Sequence, residues 1–417
     1  MEHFFNTIKE PWYNALRTLC QLEKSHKKLG EYLAQYSYSQ STYRICRAYI
    51  LNVVRHDKLI QYFIDSHLIR PPKLQLKCFL KLVIGQILCK HKDSILTEAI
   101  LAPIVNGWLE RAKLIFSKAE CKCINAVLRK LQSFFETFDT LPLHIRYNIP
   151  DFLITRYRKI YGEEALLKYL KWNCEDSHVY IRTQQPFSGL IPTQWEHFYI
   201  AKEEKTWAHV FQQVQQGLAY IQDPMTRIPI LQLDLQENMS VLDLCAAPGG
   251  KTVQIAQILH GTGHVFSVDL PERLKRLQEN TQIYTNVSLL GKDVRQLCKE
   301  DFKSIKDGLF DRVIVDVPCS NTGVIQKKPD IALRLKESDF IELPQIQCQL
   351  LEKASTFLKR HGLLIYSTCS IDPGENQAVV TKFLQTHPQF RLKHSHVSLP
   401  WIDGHDGGGC FCLEKKE

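Results

Sequence analysis

The sequence has no hydrophobic run long enough to cross a membrane. Its best candidate, residues 79–89, is short and is interrupted by Lys81, whereas a spanning helix needs about 20 consecutive apolar residues. Residues 1–5 carry an early acid and no cationic start before an apolar stretch, so we expect no secretory signal. A chain of 417 residues with 44% hydrophobic and 23% charged side chains is therefore expected to be a cytoplasmic protein with two or three domains.

The 14 cysteines lack the spacing of zinc ribbons and of redox motifs. The close pairs are Cys121 with Cys123 and Cys410 with Cys412, and neither forms the C-x-x-C pattern that such sites use. We therefore expect no metal site. In the absence of a secretory signal, this many thiols favours a reducing compartment over a disulfide framework.

The sequence also lacks a charge excess outside its first third. Residues 1–140 contain 21 Lys and Arg against 12 Asp and Glu, and the remaining residues contain 32 of each. The formal net charge of +9 therefore arises entirely in the first third. This pattern indicates either a basic module that engages a polyanion or helices whose lysines are simply solvated. The lysines in question include Lys24, Lys27, Lys28, Lys90 and Lys92.

Apolar residues recur at helical spacing in this first third. Such runs lie on both sides of the helix-breaking prolines at residues 71 and 72, so we expect a helical domain over residues 1–140. Residues 141–225 combine a short amphipathic helix at 165–172 with a β-like segment at 178–182. This combination predicts a small α+β connector.

The pattern changes to alternating strands and helices in the last part of the chain, which we take as a third domain over residues 226–417. Strand, helix, strand repetition with short turns predicts a largely parallel, doubly wound α/β sheet of Rossmann-like form. The predicted strands are residues 241–245, 265–270, 287–290, 312–317 and 363–367, and the predicted helices are 252–259, 272–284 and 345–360.

The turn after the first predicted strand is rich in glycine but fits neither common phosphate-binding motif. A P-loop would need glycine where Cys245 stands, and the G-x-G-x-x-G pattern fails because Gly249 and Gly250 are adjacent. The candidate ligand that remains for this turn is one that contains adenosine but no pyrophosphate. Asp269 ends the second strand, where an acid can hold a ribose hydroxyl, and Asp293 follows the third, where it could read an adenine edge. Either acid could instead cap a helix.

Two cysteines follow predicted strands that are expected to be neighbours. Cys319 follows the strand that ends near Asp316, and Cys369 follows the strand at residues 363–367. Because ligands of open α/β sheets bind at the carboxyl ends of the strands, these two thiols are expected to share one pocket. The pairing indicates thiol chemistry.

Three motifs together resemble the S-adenosylmethionine-dependent RNA cytosine-5 methyltransferases of the RsmB/NOP family. They are D-L-C-A-A-P-G-G-K-T at residues 243–252, D-V-P-C-S-N-T-G-V-I at 316–325 and Y-S-T-C-S at 366–370. The first third, including I-N-A-V-L-R at 124–129, is similar to the helical NusB-like extension of the bacterial ribosomal RNA branch, the RsmB (Sun/Fmu) type. Asn321 stands where that family commonly has Gly or Ala.

The resemblance implies a covalent reaction on C5 of cytosine. Cys369 would be the nucleophile that adds to C6, and Cys319 would assist release, although the two cysteines could exchange roles from sequence alone. Asp316 would protonate or hydrogen-bond the ring near N3, and Lys251 would neutralise the neighbourhood. The implied S-adenosylmethionine site comprises Cys245, Ala246, Ala247, Pro248, Gly249, Gly250, Lys251, Asp269, Asp293 and Asp316.

The implied substrate is a cytosine of small-subunit ribosomal RNA that can leave its stack. The first domain would dock RNA, or it would serve as a protein interaction module. Two alternatives remain open at this point, a methyltransferase of transfer RNA and a catalytically silent RNA-binding assembly factor. A monomer is expected.

Overall fold

The computed structural model describes residues 10–24, 29–34, 40–91 and 97–416. The predictions that concern residues 1–5, Lys27, Lys28 and Lys92 lie outside these described residues. Within the ranges that the structure describes, no helix combines the length and the apolar character that crossing a membrane requires.

Chain contacts divide the protein into two compact units. The first comprises Met1–Asp176 and Gln326–Arg334, and the second comprises Ser177–Ile325 and Leu335–Glu417. The predicted candidate site residues all lie in the second unit.

The first unit is helical, as its apolar spacing predicts. Pro71 and Pro72 lie between the fourth and fifth helices, because proline lacks the N–H that a helix interior needs. The described helices of residues 10–176 are α1 (Pro11–Leu22), α2 (Leu29–Ala34), α3 (Gln40–Arg55), α4 (Asp57–His67), α5 (Leu74–His91), α6 (Glu98–Ala112), α7 (Lys118–Leu128), α8 (Leu131–Glu136), α9 (Leu143–Arg146), α10 (Asp151–Tyr161) and α11 (Glu163–Cys174).

Helix α5 supplies much of the hydrophobic core of this unit and packs against α1, α3, α4 and α7. Leu80, Leu82 and Val83 on this helix are fully buried. Lys81 is also buried, and its ammonium lies 2.5 Å from Glu23 and 2.7 Å from Asp57. The charge that interrupts the apolar run therefore has two carboxylate partners, which a buried cation requires.

Helices that follow residue 140 pack with the earlier helices. The side-chain amide of Asn148 donates to the carbonyl of Val54 at 2.7 Å, and its oxygen accepts from the backbone N–H of Lys58 at 3.1 Å. The unit boundary lies between Asp176 and Ser177. The domain limits expected at residues 140 and 225 stay predictions.

The second unit begins with a small antiparallel sheet of strand order β2-β3-β1-β4. The β-like segment expected at 178–182 is confirmed, shifted by a residue or two. Val210 of the accompanying helix α12 (Glu204–Gln215) packs on Ile181 and Ala219 of the sheet. The strands are β1 (Tyr180–Thr183), β2 (Leu190–Pro192), β3 (Phe198–Ala201) and β4 (Ala219–Ile221).

The rest of the unit is built on a seven-stranded sheet of order β10-β11-β9-β8-β5-β6-β7. Strands β9, β8, β5, β6 and β7 run parallel to one another, whereas β11 pairs antiparallel with β9 and β10. The strands are β5 (Ser240–Leu244), β6 (His264–Asp269), β7 (Val287–Gly291), β8 (Phe310–Asp316), β9 (Leu358–Thr368), β10 (Phe390–Ser398) and β11 (Gly408–Lys415).

Helices cover both faces of this sheet. Alternate strand residues point to opposite sides, so Val313 and Val315 pack with α17 and α18, whereas Ile314 packs with α13 and α14. This arrangement confirms the predicted doubly wound sheet. The helices of this unit are α13 (Arg227–Gln232), α14 (Gly250–Ile258), α15 (Leu274–Thr281), α17 (Asp339–Ser355), α18 (Gln377–Thr386) and α19 (Pro400–Asp403). The short helix α16 (Asp330–Arg334) belongs to the first unit.

The sequence misplaced both ends of one helix, which begins at Asp339 and not at residue 345, and it missed several strands. The helix expected at 345–360 ends at Ser355, and β9 already begins at Leu358. Phe357 and Leu358 are buried, and they pair with Phe310 at the start of β8. Their apolar side chains extend the helical pattern, but they belong to the sheet core. Strands β2, β3 and β4 of the small sheet and strands β10 and β11 of the large sheet were not predicted.

Candidate active site

The two predicted thiols lie side by side at the carboxyl edge of the large sheet. Strands β8 and β9 are in parallel register, with Asp316 opposite Ser367. Cys319 lies three residues beyond the end of β8, and Cys369 directly follows β9. Their sulfur atoms are 3.2 Å apart, and neither forms a disulfide. The two thiols therefore lie together at this edge, as expected, and the ligand pocket that they would share stays a prediction.

The two thiols differ in their environment. Cys319 is buried, with 7% of its surface exposed, whereas Cys369 is partly exposed. The hydrogen bond to Cys369, together with burial, raises the pKa of Cys319 above its ordinary value. A substrate that approaches the sheet edge therefore finds Cys369 more accessible than Cys319.

Asn321 contacts both cysteines. Its side-chain nitrogen donates to the backbone carbonyl of Cys319 at 2.6 Å, and its side-chain oxygen accepts from the thiol of Cys369 at 2.9 Å. The sequence marked Asn321 only as a departure from the related family, so this contact was not predicted.

Lys251 and Asp316 form an ion pair at the same edge. The ammonium nitrogen of Lys251 lies 2.7 Å from one Asp316 oxygen, and the hydroxyl of Ser367 donates to the other at 2.6 Å. Burial alone would lower the pKa of Lys251, but the Asp316 carboxylate outweighs burial, so this pKa is raised. The structure thus brings four predicted catalytic residues, Cys319, Cys369, Asp316 and Lys251, to neighbouring strand ends.

A buried glutamate, Glu375, accepts hydrogen bonds from both cysteine loops. Glu375 has no exposed surface, and its carboxylate accepts from the hydroxyls of Ser320 and Ser370, from the Ser320 N–H at 2.8 Å and from Gln347 at 3.0 Å. Burial raises the pKa of Glu375, although these hydrogen bonds act in the opposite direction. The serine that follows each cysteine was the available signal for this network, which sequence reasoning missed.

The turn between β5 and α14 is shaped by close packing as well as by its glycines. Gly249 has a φ of +105°, and a Cβ there would lie 2.9 Å from Leu277. A Cβ on Gly250 would lie 2.9 Å from the side-chain nitrogen of Gln222. Cys245 also lies in the left-handed region, at φ +59°, and burial raises the pKa of its thiol.

Asp243 is fully buried at the end of β5 and was not predicted as a site residue. One of its oxygens accepts from the hydroxyl of Thr252 at 2.6 Å, and the other has no hydrogen-bond partner among the described residues. Burial raises the pKa of Asp243 to about 7. A buried acceptor without a donor next to the turn is compatible with a polar ligand there.

The two acids that were predicted to contact ribose and adenine, Asp269 and Asp293, have hydrogen-bond and ion-pair partners within the protein. Asp269 is 2% exposed, and its carboxylate accepts from the N–H groups of Ala247 and Leu270 and pairs with Arg273 at 3.3 Å. Asp293 pairs with Arg295 at 2.6 Å. Both acids lie at the carboxyl ends of adjacent parallel strands, and their ligand contacts stay predictions.

The residues present fit an adenosine cofactor better than a phosphate-rich one. Acidic side chains follow or end β5, β6, β7 and β8, and Lys251 is already paired with Asp316. A diphosphate would meet carboxylates at this edge, whereas ribose hydroxyls and an adenine amine donate hydrogen bonds that carboxylates accept.

The sequence is similar to that of known methyltransferases. The family model described as 16S rRNA methyltransferase RsmB/F matches residues 230–405. The chain is 31% identical over 343 residues to ribosomal RNA small subunit methyltransferase B of Proteus mirabilis, an alignment that covers 75% of this chain and 76% of that protein. It is 29% identical over 304 residues to the probable ribosomal RNA small subunit methyltransferase B of Bacillus subtilis, which covers 68% of this chain and 67% of that protein.

Solved structures share the fold. The crystal structure of PH0851 matches with a TM-score of 0.72 and 21% identity, over 96% of this chain and 98% of that chain. The crystal structure of NSun6 from Pyrococcus horikoshii with SFG matches with a TM-score of 0.55 and 18% identity, over 64% of this chain and 98% of that chain. At these identities the likeness concerns the fold alone.

Proposed function

Since this chain belongs to the RsmB/F family of 16S rRNA methyltransferases, we propose that it transfers a methyl group from S-adenosylmethionine to C5 of one cytosine in small-subunit ribosomal RNA. The observation that carries the proposal is the pair of thiols, Cys319 and Cys369, 3.2 Å apart at the ends of adjacent parallel strands. A single active-site thiol would suffice for many reactions, but attack followed by assisted release uses two groups.

The chemistry of cytosine explains why a thiol is needed. C5 is not nucleophilic enough to take a methyl group directly, so a thiolate first adds to C6. The C5–C6 double bond becomes single, a C4–C5 double bond forms, and N3 takes up the displaced electron pair with a proton, which leaves an enamine whose carbon is C5. The enamine carbon then takes the methyl group. A base removes the C5 proton, and the thiolate leaves as the C5–C6 double bond forms again.

The exposure of the two thiols supports an assignment of their roles. We give the attack on C6 to Cys369, because its sulfur is partly exposed, whereas Cys319 is buried. Cys319 lies within hydrogen-bonding distance of the attacking sulfur, which suits a group that assists proton removal and release. The opposite assignment would require the buried thiol to reach the base first.

Asp316 and Lys251 would act on the ring. A carboxyl group at the ring edge near N3 draws electrons away from C6 and favours addition of the thiolate. The ammonium of Lys251, 2.7 Å from Asp316, balances the carboxylate and can return a proton to it. Ser367 holds the second oxygen of Asp316, so the carboxyl group is oriented before the base arrives.

The turn after β5 would hold the cofactor, which supplies an electrophilic methyl group when bound. Its residues 245–251 lie beside Asp316, and Asp269 and Asp293 follow along the same sheet edge. For Asp269 to bind a ribose hydroxyl, its carboxylate must share the lone pairs that now accept from Ala247 and Leu270. Each carboxylate oxygen has two lone-pair sites, so both contacts are compatible.

The target base must leave its stack before a thiolate can reach C6. We therefore assign the substrate to a looped or otherwise flippable segment of RNA. The excess of Lys and Arg in residues 1–140 would bind RNA phosphates. A monomer in the cytoplasm stays a prediction.

Methyl transfer to purified RNA tests the proposal. Labelled methyl groups should appear as 5-methylcytosine in small-subunit ribosomal RNA, and nuclease mapping should place them at one position. Transfer RNA should remain unlabelled. Label in transfer RNA alone would overturn the substrate assignment, and cofactor binding without label in either RNA would indicate a silent assembly factor instead.

A further inference from the structure

Arg182, on strand β1 of the small sheet, is a buried arginine with neutral partners. It is 5% exposed, and its Nε donates to the side-chain oxygen of Gln222 at 2.7 Å, while one Nη donates to that of Gln257 at 2.9 Å. Its guanidinium carbon lies 4.9 Å from the centre of the Tyr220 ring. No carboxylate pairs with it among the residues that the structure describes. Buried charges are usually paired with an opposite charge, so the choice of two glutamines needs a physical reason.

Arg182 fixes the orientation of the Gln222 amide. An arginine side chain has donors only, so the atom of Gln222 that faces it must be the oxygen. The amide nitrogen then faces the backbone carbonyl of Gly250, to which it donates at 3.2 Å. In the reversed orientation the amide oxygen would face that carbonyl, and two acceptors repel. The buried guanidinium thus determines which group Gln222 presents to the turn after β5.

The carbonyl of Gly250 belongs to a peptide unit in the first turn of helix α14. A peptide unit is planar and trans, so its carbonyl and its N–H point in opposite directions. The N–H of this unit is that of Lys251, one of the amino-terminal N–H groups that have no partner within their own helix. A donor on the carbonyl of Gly250 therefore fixes the direction of the Lys251 N–H. Such N–H groups are suited to hold polar ligands.

Two more carbonyls of the same turn accept hydrogen bonds from side chains. Arg273 donates to the carbonyl of Ala247 at 3.1 Å, and Asn280 donates to that of Pro248 at 2.7 Å. Asn280 lies on α15, and Arg273 directly precedes this helix. Gln222 instead directly follows β4 of the small sheet. The small sheet therefore contributes to the geometry of the turn through Gln222, from a different part of the unit than α15.

We propose that Arg182 and Gln222 are positioning residues that orient the first turn of α14 for S-adenosylmethionine. The inference rests on the proposed function, in which the turn after β5 holds this cofactor. Arg182 acts through Gln222, and neither side chain needs to touch the cofactor. The proposal gives a reason for the neutral partner of Arg182, because a carboxylate at position 222 would present an acceptor to the carbonyl of Gly250.

Gln222→Glu separates orientation from packing. The variant keeps the shape of the side chain and gives Arg182 a carboxylate, which stays ionised beside a guanidinium, but it places an acceptor against the carbonyl of Gly250. Gln257→Glu is the matched control, because it adds the same charge beside the same guanidinium. Its second oxygen would meet the hydroxyl of Tyr284, which now accepts from Gln257 at 2.9 Å. A hydroxyl can rotate and donate instead.

Calorimetric titration of S-adenosylmethionine into the RNA-free proteins measures the effect on binding. Gln222→Glu should raise the Kd about tenfold, because a hydrogen bond is lost and two acceptors face each other. Gln222→Met removes the donor without adding an acceptor, so the Kd should rise about threefold. Gln257→Glu should bind like wild type. The cofactor carries two positive groups and one negative group, so an added carboxylate by itself would favour binding, which is the opposite sign.

Two further measurements distinguish positioning from a general loss of structure. In the cofactor-free proteins, hydrogen exchange of the backbone N–H groups of residues 249–252 should be faster in Gln222→Glu than in wild type or Gln257→Glu. In single-turnover methyl transfer, the cofactor concentration that gives half the maximal rate should rise with the Kd. The maximal rate should change by less than about threefold, because the lost contact orients the cofactor turn and not the thiols.

Equal affinity of wild type and Gln222→Glu would overturn the inference, and so would equal losses in Gln222→Glu and Gln257→Glu. If Gln222→Glu does not fold, Gln222→Met decides, and wild-type affinity in that variant would contradict the role of Gln222. If wild type binds no S-adenosylmethionine, the proposed function fails instead. Hydrogen exchange at residues 249–252 then still shows whether Gln222 orients the turn, and unchanged exchange in both Gln222 variants would refute it.

Discussion

The ammonium nitrogen of Lys251 lies 2.7 Å from a carboxylate oxygen of Asp316. Lys251 follows strand β5 and Asp316 ends strand β8, and these strands are neighbours in the sheet. The pair therefore joins the proposed cofactor turn to the loop that carries Cys319. A change in Asp316 is expected to affect the reacting base and the charge on Lys251 together.

Replacing Asp316 by Asn should lower the single-turnover rate of methyl transfer by about 10²-fold to 10⁴-fold, the range typical of a positioned acid or base. The amide keeps the shape of the side chain but cannot deliver a proton or balance Lys251. Rapid-quench measurement with saturating cofactor and RNA gives this rate.

A matched control is available at Glu414, whose carboxylate lies 2.7 Å from Arg391 on the two C-terminal strands. Glu414→Gln removes one carboxylate from an equally close ion pair away from the thiols, so its rate should stay within about twofold of wild type. Equal rates for Asp316→Asn and wild type would exclude Asp316 from the reaction.

Mild oxidation should join Cys319 to Cys369. Their sulfurs are 3.2 Å apart, and a disulfide needs about 2.05 Å, so a small movement closes the gap. Hydrogen peroxide accepts two electrons and two protons from the pair and leaves as two water molecules, with a sulfenic acid as the intermediate. Methyl transfer should stop and return fully after treatment with dithiothreitol. Peptide mapping should find the Cys319–Cys369 link, and inactivation that dithiothreitol cannot reverse, without that link, would contradict this prediction.

Asp243 should make stability depend on pH. Burial raises the pKa of Asp243 to about 7 in the folded protein, whereas the ordinary pKa of an aspartate is about 3.9. A folded-state pKa that is raised gives a stabilising contribution at low pH, and this contribution is lost as pH rises from about 4 through 7. Asp243→Asn removes the titration and keeps the acceptor for Thr252. Wild type should therefore lose stability, relative to Asp243→Asn, as the pH rises. The free energy of unfolding of Asp243→Asn minus that of wild type should be about 2–4 kcal/mol larger at pH 8 than at pH 4.

Urea unfolding of the two proteins at both pH values measures this difference. Asp139, whose side chain is 90% exposed, provides the control, because Asp139→Asn should give a difference that changes by less than about 0.5 kcal/mol over the same range. A pH-independent difference for Asp243→Asn would show that Asp243 does not titrate in this range.

Glu375 should stabilise the geometry of both thiols. Glu375→Ala leaves the Ser320 and Ser370 hydroxyls and the Gln347 amide without their common acceptor, so the free energy of unfolding should fall by about 2–4 kcal/mol. The methyl transfer rate should fall by about 10²-fold, because a loosened nucleophile loses its alignment. Thermal unfolding and single-turnover kinetics check the two effects. Glu352→Ala on the exposed face of α17 should change neither, and unchanged activity in Glu375→Ala would contradict the positioning role.

The sheet and the meeting of the two thiols could be predicted from sequence because buried strands have a strong local pattern. Parallel strands also end at one edge, so residues that follow β8 and β9 must lie close together. The end of α17 was misplaced because Phe357 and Leu358 are apolar and continue the helical spacing. Their burial in the sheet depends on Phe310, which lies far away in the chain.

The contacts that refine the site were not predictable from one sequence. Asn321 reaches Cys369 across 48 residues of chain, and Glu375 reaches Ser320 across 55. No local pattern records which oxygen of an asparagine or glutamate will face a thiol or a serine. Asp269 shows the same limit, because its position at a strand end was evident but its partners Ala247 and Arg273 were not.

The central claim is that Cys369 attacks the base and Cys319 assists release. Incubation of wild type, Cys319→Ala, Cys369→Ala and the double variant with labelled small-subunit ribosomal RNA and S-adenosylmethionine, followed by denaturing electrophoresis, tests this claim most directly. We expect a stable protein–RNA adduct only in Cys319→Ala, because that variant keeps the attacking thiol and lacks the group that assists release. An adduct in Cys369→Ala and none in Cys319→Ala would reverse the two roles, and an adduct in the double variant would contradict the account altogether.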